Sequence, residues 1–112
     1  MSTKFCVIYT PFPNKESAMR VAKLLLEKKL IACANLIENA TSLYFWEGKL
    51  EESAETIMIA KTKKSLFNQV KDAISANHPY TCPCIISYDI EQGNESYLQW
   101  IDNWVDNSTI KD

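Results

Sequence analysis

Glycine, histidine and arginine are all scarce in this 112-residue chain, which has two glycines, one histidine (His78) and one arginine (Arg20). Gly48 and Gly93 are isolated, so the chain offers no glycine-rich phosphate loop, and an acylphosphatase-type site with an arginine in such a loop is disfavoured. Arg20 falls in the middle of a charged helical stretch and is expected to be solvated. A hydrolytic Ser or Cys nucleophile needs a His base that a third group orients, and no spacing or motif ties His78 to such a partner. Carboxylates are plentiful, but none stands at a spacing that marks an acid/base pair. No enzyme activity is therefore expected. C-x-x-C does not occur, which removes the metal-chaperone motif, and the K/R-G-F/Y-G signature of RNA-recognition modules is missing as well. The 12 basic and 14 acidic side chains leave a formal charge of -2, too little to gather phosphates, so nucleic acid is not an expected partner. No apolar run approaches the roughly 18–20 residues of a membrane helix. The run Phe5 to Tyr9 lacks the length and cleavage site of a secretory signal, so a cytoplasmic setting with reduced thiols is expected for Cys6, Cys33, Cys82 and Cys84.

What is present reads as one α+β domain over residues 1–112, without repeats or linkers. Phe5 to Thr10 is β-branched and aromatic, and predicts a buried strand that stops at Pro11-Phe12-Pro13. Asn14 can cap a helix in which Ala18, Val21, Ala22 and Leu25 recur on one face, with Lys28 and Lys29 in its last turn. Ile31 to Ile37 supplies a strand, Leu43 to Trp46 a further aromatic extended segment, and Glu47-Gly48-Lys49 a turn back to a strand over Thr56 to Ala60. Ser65 is expected to cap a second helix, which presents Leu66, Phe67, Val70, Ala73 and Ile74 and ends at Asn77. Cys84 to Ile90 gives the last strand, and Asn94 caps a final helix carrying Tyr97, Leu98, Ile101, Trp104 and Val105. This order is the ferredoxin-like split βαβ sandwich, with a long β-hairpin and a C-terminal helix added. Helices then cover one face of the sheet, and the exposed aromatics of the other face call for oligomerisation.

The unusual residues concentrate in His78-Pro79-Tyr80-Thr81-Cys82-Pro83-Cys84. If the C-x-C is extended, both thiols point to one side, and His78 just past a helix end could reach them. Imidazole plus two thiolates suits copper(I) or zinc, with exogenous ligands or a neighbouring subunit completing the shell. The other reading makes Cys82 and Cys84 small apolar fillers, His78 a cap for helix carbonyls, and the prolines turn formers. Cys6 and Cys33 read as core residues. Tyr9 and Trp46 read as packing or interface.

Four stretches in order resemble the CutA family of divalent-cation tolerance proteins: Glu27 to Ile37, Thr41 to Lys49, Asn77-His78-Pro79-Tyr80, and Tyr97 to Ile101. The resemblance implies a ferredoxin-like protomer in a tight homotrimer, similar in outline to PII signalling proteins, with the long hairpins pairing between subunits. It also implies a role in tolerance of copper and other divalent metals, with metal ions taken up through the histidine of H-P-Y. That histidine is His78 here. A β1 cysteine and a second, adjacent histidine, found in some members, are replaced by Tyr9 and Asn77, and Cys84 stands where the family usually has glutamate. A metal site at His78, Cys82 and Cys84 is thus the expectation, with a PII-like sensor or scaffold that binds a small molecule or a protein as the alternative.

Overall fold

The computed structural model describes residues 4–105. Its elements are β1 (Phe5–Phe12), α1 (Lys15–Glu27), β2 (Cys33–Trp46), β3 (Lys49–Lys63), a 3-10 turn (Lys64–Leu66), α2 (Phe67–Asn77), β4 (Ile86–Asp89) and α3 (Glu95–Trp104). The strands form one antiparallel sheet in the order β2-β3-β1-β4, the ferredoxin-like arrangement expected from the sequence.

Both asparagine caps form as their chemistry dictates: Asn14 accepts a hydrogen bond from Ser17 N–H, and Asn94 accepts one from Ser96 N–H. Other boundaries differ from expectation. β1 runs on through Pro11 to Phe12 instead of stopping at Thr10, because β4 pairs only with Cys6 to Tyr9. Beyond Tyr9 the strand has a partner on one side only, a position where proline is tolerated. Lys28 and Lys29 lie just past α1, not in its last turn. Lys29 takes φ 58, and Lys29 and Leu30 donate to the carbonyls of Leu26 and Leu25, a Schellman stop. Ser65 does not cap α2; it sits inside the 3-10 turn that precedes the helix. Cys84 lies before β4, not within it.

The long hairpin expected from the sequence forms, with strands that run further than the expected bounds. β2 and β3 span 14 and 15 residues and pair from Cys33↔Lys61 out to Trp46↔Lys49, turning at Glu47 (φ 52) and Gly48 (φ 80). Two positive φ values in a two-residue turn give the I′ geometry that suits the twist of the strands. Between Ile37 and Ala40 the register slips by one residue, with Asn39 at φ 65, so β2 carries a bulge.

Cross-strand rows fix the two faces of the sheet. Cys6, Ile8, Thr10 and Phe12 of β1 lie beside Met58, Ala60 and Thr62 of β3, all buried against α1 and α2 with Val21, Leu25, Val70 and Ile74. The opposite face carries the row Asn35-Ile59-Tyr9-Ile86 and the row Cys33-Lys61-Val7-Tyr88. α3 covers one end of that face. Its Asp102 bridges Lys4 and the buried Lys63 at 2.9 Å each, and Tyr97 reaches Cys33. Cys33 is therefore partly exposed under α3, not in the core as expected, and Lys61 Nζ donates to its sulfur at 3.5 Å. Arg20 is not merely solvated, since its guanidinium donates to the Asn77 carbonyl at 3.3 Å.

Asp102 gives the fold an acid-sensitive tie. Hydrogen bonds from Lys63 and Lys4 hold its carboxyl below the ordinary carboxylate range. A depressed carboxyl stabilises the fold above its unfolded pKa, and that contribution disappears as pH falls through the folded value. Thermal midpoints of the parent are expected to drop below about pH 4 more steeply than those of Asp102→Asn, and parallel curves would refute this assignment.

Candidate functional site

The His78 segment runs from the end of α2 to the start of β4, and its first residue is the best anchored. His78 is buried, its ring stacked on Phe12 with centroids 4.3 Å apart and 21° between planes. Its Nε2 lies 2.8 Å from the Pro11 carbonyl, and its Nδ1 accepts the Tyr80 N–H at 3.0 Å. A carbonyl can only accept, so Nε2 carries the proton and the ring is neutral with both nitrogens engaged. Burial pushes its pKa below the ordinary histidine value, against the opposing pull of the Pro11 carbonyl and Glu55. His78 thus pins the loop to the end of β1 and does not cap helix carbonyls; Asn77 does that, donating to Ala73 O at 2.8 Å.

Tyr80 lies on the other side of this anchor. Its hydroxyl donates to Glu55 at 2.7 Å, and Ser42 donates to the other carboxylate oxygen of the same residue. Burial first, then the Glu55 hydrogen bond and charge, push the Tyr80 phenol up to about 12, so it remains a donor across the physiological range. Beyond this pair opens a cleft of about 630 Å³ lined by Pro11, Tyr44, Trp46, Glu51, Glu55, Tyr80, Thr81, Cys82 and Cys84.

Of the three residues expected to ligate a metal, Cys82 and Cys84 come to this one cleft, while His78 sits behind it among Phe12, Pro11 and Tyr80. Both cysteines are exposed and reduced, so they are not buried fillers. Among the described residues, no three His, Cys, Asp or Glu side chains are gathered as a metal ion requires. A metal on His78 would have to displace the Tyr80 N–H or the Pro11 carbonyl, and Glu55 already spends both oxygens on Tyr80 and Ser42. One protomer therefore offers a metal two thiols and the Glu51 carboxylate in the lining of one cleft, but no assembled coordination shell.

Sequence reading missed Glu51 and Glu55, because Glu51-Glu52-Ser53-Ala54-Glu55 has the composition of a solvated loop. Only the length of the hairpin and its bulge bring Glu55 opposite Ala40 and within reach of Ser42. Tyr44 and Trp46 were visible as exposed aromatics but not as a cleft wall.

Comparison with known proteins agrees with this architecture. The profile of the CutA1 divalent ion tolerance protein family matches residues 6–104. The divalent-cation tolerance protein CutA of Pyrococcus horikoshii is 47% identical over 95 residues, covering 85% of this chain and 92% of that protein. Among solved structures, CutA1 from Oryza sativa superposes with a TM-score of 0.92 at 37% identity, covering 96% of this chain and 98% of that one. A structure described as the periplasmic divalent cation tolerance protein CutA of Archaeoglobus fulgidus gives 0.88 at 45% identity, covering 91% of this chain and 99% of that one. Sequence, element order and superposition lead to one placement: this chain belongs to the CutA1 divalent ion tolerance protein family.

Proposed function

We propose that the chain acts as a homotrimer that binds copper or another soft divalent ion weakly through Cys82 and Cys84, contributes to metal tolerance, and performs no catalysis. The observation that carries the metal part is the pair of exposed thiols lining one cleft. Thiolates favour copper(I) and zinc, and the donors one protomer lacks would come from a neighbouring subunit or from solution. His78 serves here as a positioning residue, holding the loop that presents both sulfurs. The thiols must stay reduced to bind, which fits the cytoplasmic setting expected from the sequence.

The trimer rests on what the protomer leaves uncovered. Leu43, Phe45, Trp46 and Leu50 are 65%, 74%, 64% and 64% exposed, a concentration of apolar surface that marks an interface. β2 is also an edge strand, and its only charged residue is Glu38, with none of the lysines or prolines that usually deter pairing.

Calorimetric titration of the reduced protein with zinc and copper(I) tests the metal part. Cys82→Ser and Cys84→Ser are each expected to weaken binding at least by the roughly 10–100-fold that losing an outer-shell partner costs. No heat in the parent, or unchanged affinity in both variants, would reject it. The aromatic walls Tyr44, Trp46 and Tyr80 favour a second reading, a PII-like sensor that takes an organic molecule. A thermal shift with organic ligands and none with metals would select it, because a ligand of the native state stabilises by mass action.

A further inference from the structure

Two thiols without an assembled shell of further donors are a poor cage for a divalent cation, yet they are the full requirement of another class of ligand. We infer that Cys82 and Cys84 form a two-thiol trap for trivalent arsenicals that carry an apolar substituent. The inference rests on the cleft being the binding site, as proposed above, but not on its holding a divalent ion.

Trivalent arsenic makes three bonds in a pyramid. An organoarsenical already supplies one of them from carbon, so two protein sulfurs complete it, whereas zinc asks for four ligands. The spacing suits this demand. One residue separates the cysteines, which keeps their Cα atoms within about 7 Å. Pro83 fixes its own φ, which limits how far the short segment between the two cysteines can vary, although the chain bends at Cys82. Both side chains do line the same cleft. A direct disulfide would need Cα atoms about 4.4–6.8 Å apart, while an arsenic atom placed between the sulfurs bridges the wider separation. Of the other lining residues, Pro11, Tyr44, Trp46 and Tyr80 are apolar or aromatic and supply the surface for the substituent on arsenic. The other thiols are unsuited, since Cys6 is buried in β1 and Cys33 lies under α3 with Lys61 and Tyr97 on its sulfur.

The reaction with an organoarsenic oxide, R–As=O, balances without an oxidant. Two As–S bonds form and the As=O bond breaks. The two thiol protons leave with the oxide oxygen as one water, and arsenic remains trivalent.

Phenylarsine oxide is the probe. Added in one equivalent to the reduced full chain, it is expected to give one adduct per protomer by intact mass, with both Cys82 and Cys84 lost to alkylation in peptide maps. The adduct should survive excess 2-mercaptoethanol and be removed by 2,3-dimercaptopropanol, because only a dithiol competes with a two-sulfur chelate. Cys82→Ser and Cys84→Ser should each abolish the monothiol-resistant adduct, and Cys33→Ser should leave it intact. An adduct that persists in either cleft variant, or that 2-mercaptoethanol strips from the parent, overturns the inference. Trp46→Ala is expected to weaken retention of phenylarsine oxide roughly 2- to 10-fold but not that of arsenite, which has no substituent; equal retention of phenylarsine oxide would overturn the part assigned to the apolar walls. Zinc and copper(I) titrated in parallel separate the two proposals: either metal bound with no arsenical adduct defeats this inference alone, and an adduct with neither metal bound defeats the metal-ion reading alone.

Discussion

Phe12→Ala is expected to lower the free energy of unfolding by about 3–5 kcal/mol, the largest effect of any single substitution considered. Phe12 is fully buried at the end of β1, where its ring forms one wall of the helix-facing core and the stacking platform for His78. Truncation removes the transfer free energy of the ring and leaves a cavity that the paired strands β1 and β3 cannot collapse to fill. His78 then keeps its two hydrogen bonds but loses the surface that orients its ring. Against a typical total stability of about 5–15 kcal/mol, the loss is a large fraction. Urea unfolding at fixed protein concentration would register it as a lower midpoint with little change in slope. A shift under about 1 kcal/mol, far short of other buried phenylalanine truncations, would show that the site-facing end of β1 is held by something other than this ring.

The second large effect concerns assembly. The parent is expected, as the proposed trimer, to sediment at three times the protomer mass, and the double variant Leu43→Glu with Phe45→Glu as a monomer. Both side chains lie on the far part of the hairpin, on the face away from the cleft. A two-stranded ribbon without other cover is at best marginally stable in water, so it needs the surface that neighbouring copies would supply. Each substitution removes roughly 2 kcal/mol of apolar burial per subunit and brings like charges together. The helices pack elsewhere, so the far-ultraviolet dichroism assigned to α1 and α2 should be retained. A trimer that survives both charges would place the interface away from the hairpin.

The helices were legible in the sequence because their signals are local: Asn14 and Asn94 supply caps, and apolar residues recur at the helical period after each. The order of strands followed from that. The long hairpin and its turn were legible, but the unbroken strand through Glu51 to Ala54 was not, because Glu51-Glu52-Ser53 is polar on both sides and its strand character comes from pairing with β2. Local composition likewise misplaced Cys33, whose small neighbours Ala32 and Ala34 suggest a core, while α3, more than 60 residues on, decides what covers it. At the site, residue type singled out the His78 segment, and the structure brings its Cys82 and Cys84 to one cleft. Residue type could not show that both imidazole nitrogens are engaged, since the Pro11 carbonyl that takes one of them is 67 residues distant in the chain.

The extra residue at Glu38-Asn39 acts as a phase shift in the strand. Before it, the odd-numbered side chains Cys33, Asn35 and Ile37 share the face opposite the helices; after it, the even-numbered Ala40, Ser42, Tyr44 and Trp46 do. Every hairpin residue that lines the cleft falls on that face as a result. An unshifted strand of the same composition would turn Tyr44 and Trp46 toward the other side and offer Leu43 and Phe45 in their place. The chemical character of the cleft is therefore encoded as much in a residue count as in residue identity, and single insertions or deletions in this strand exchange its two surfaces wholesale.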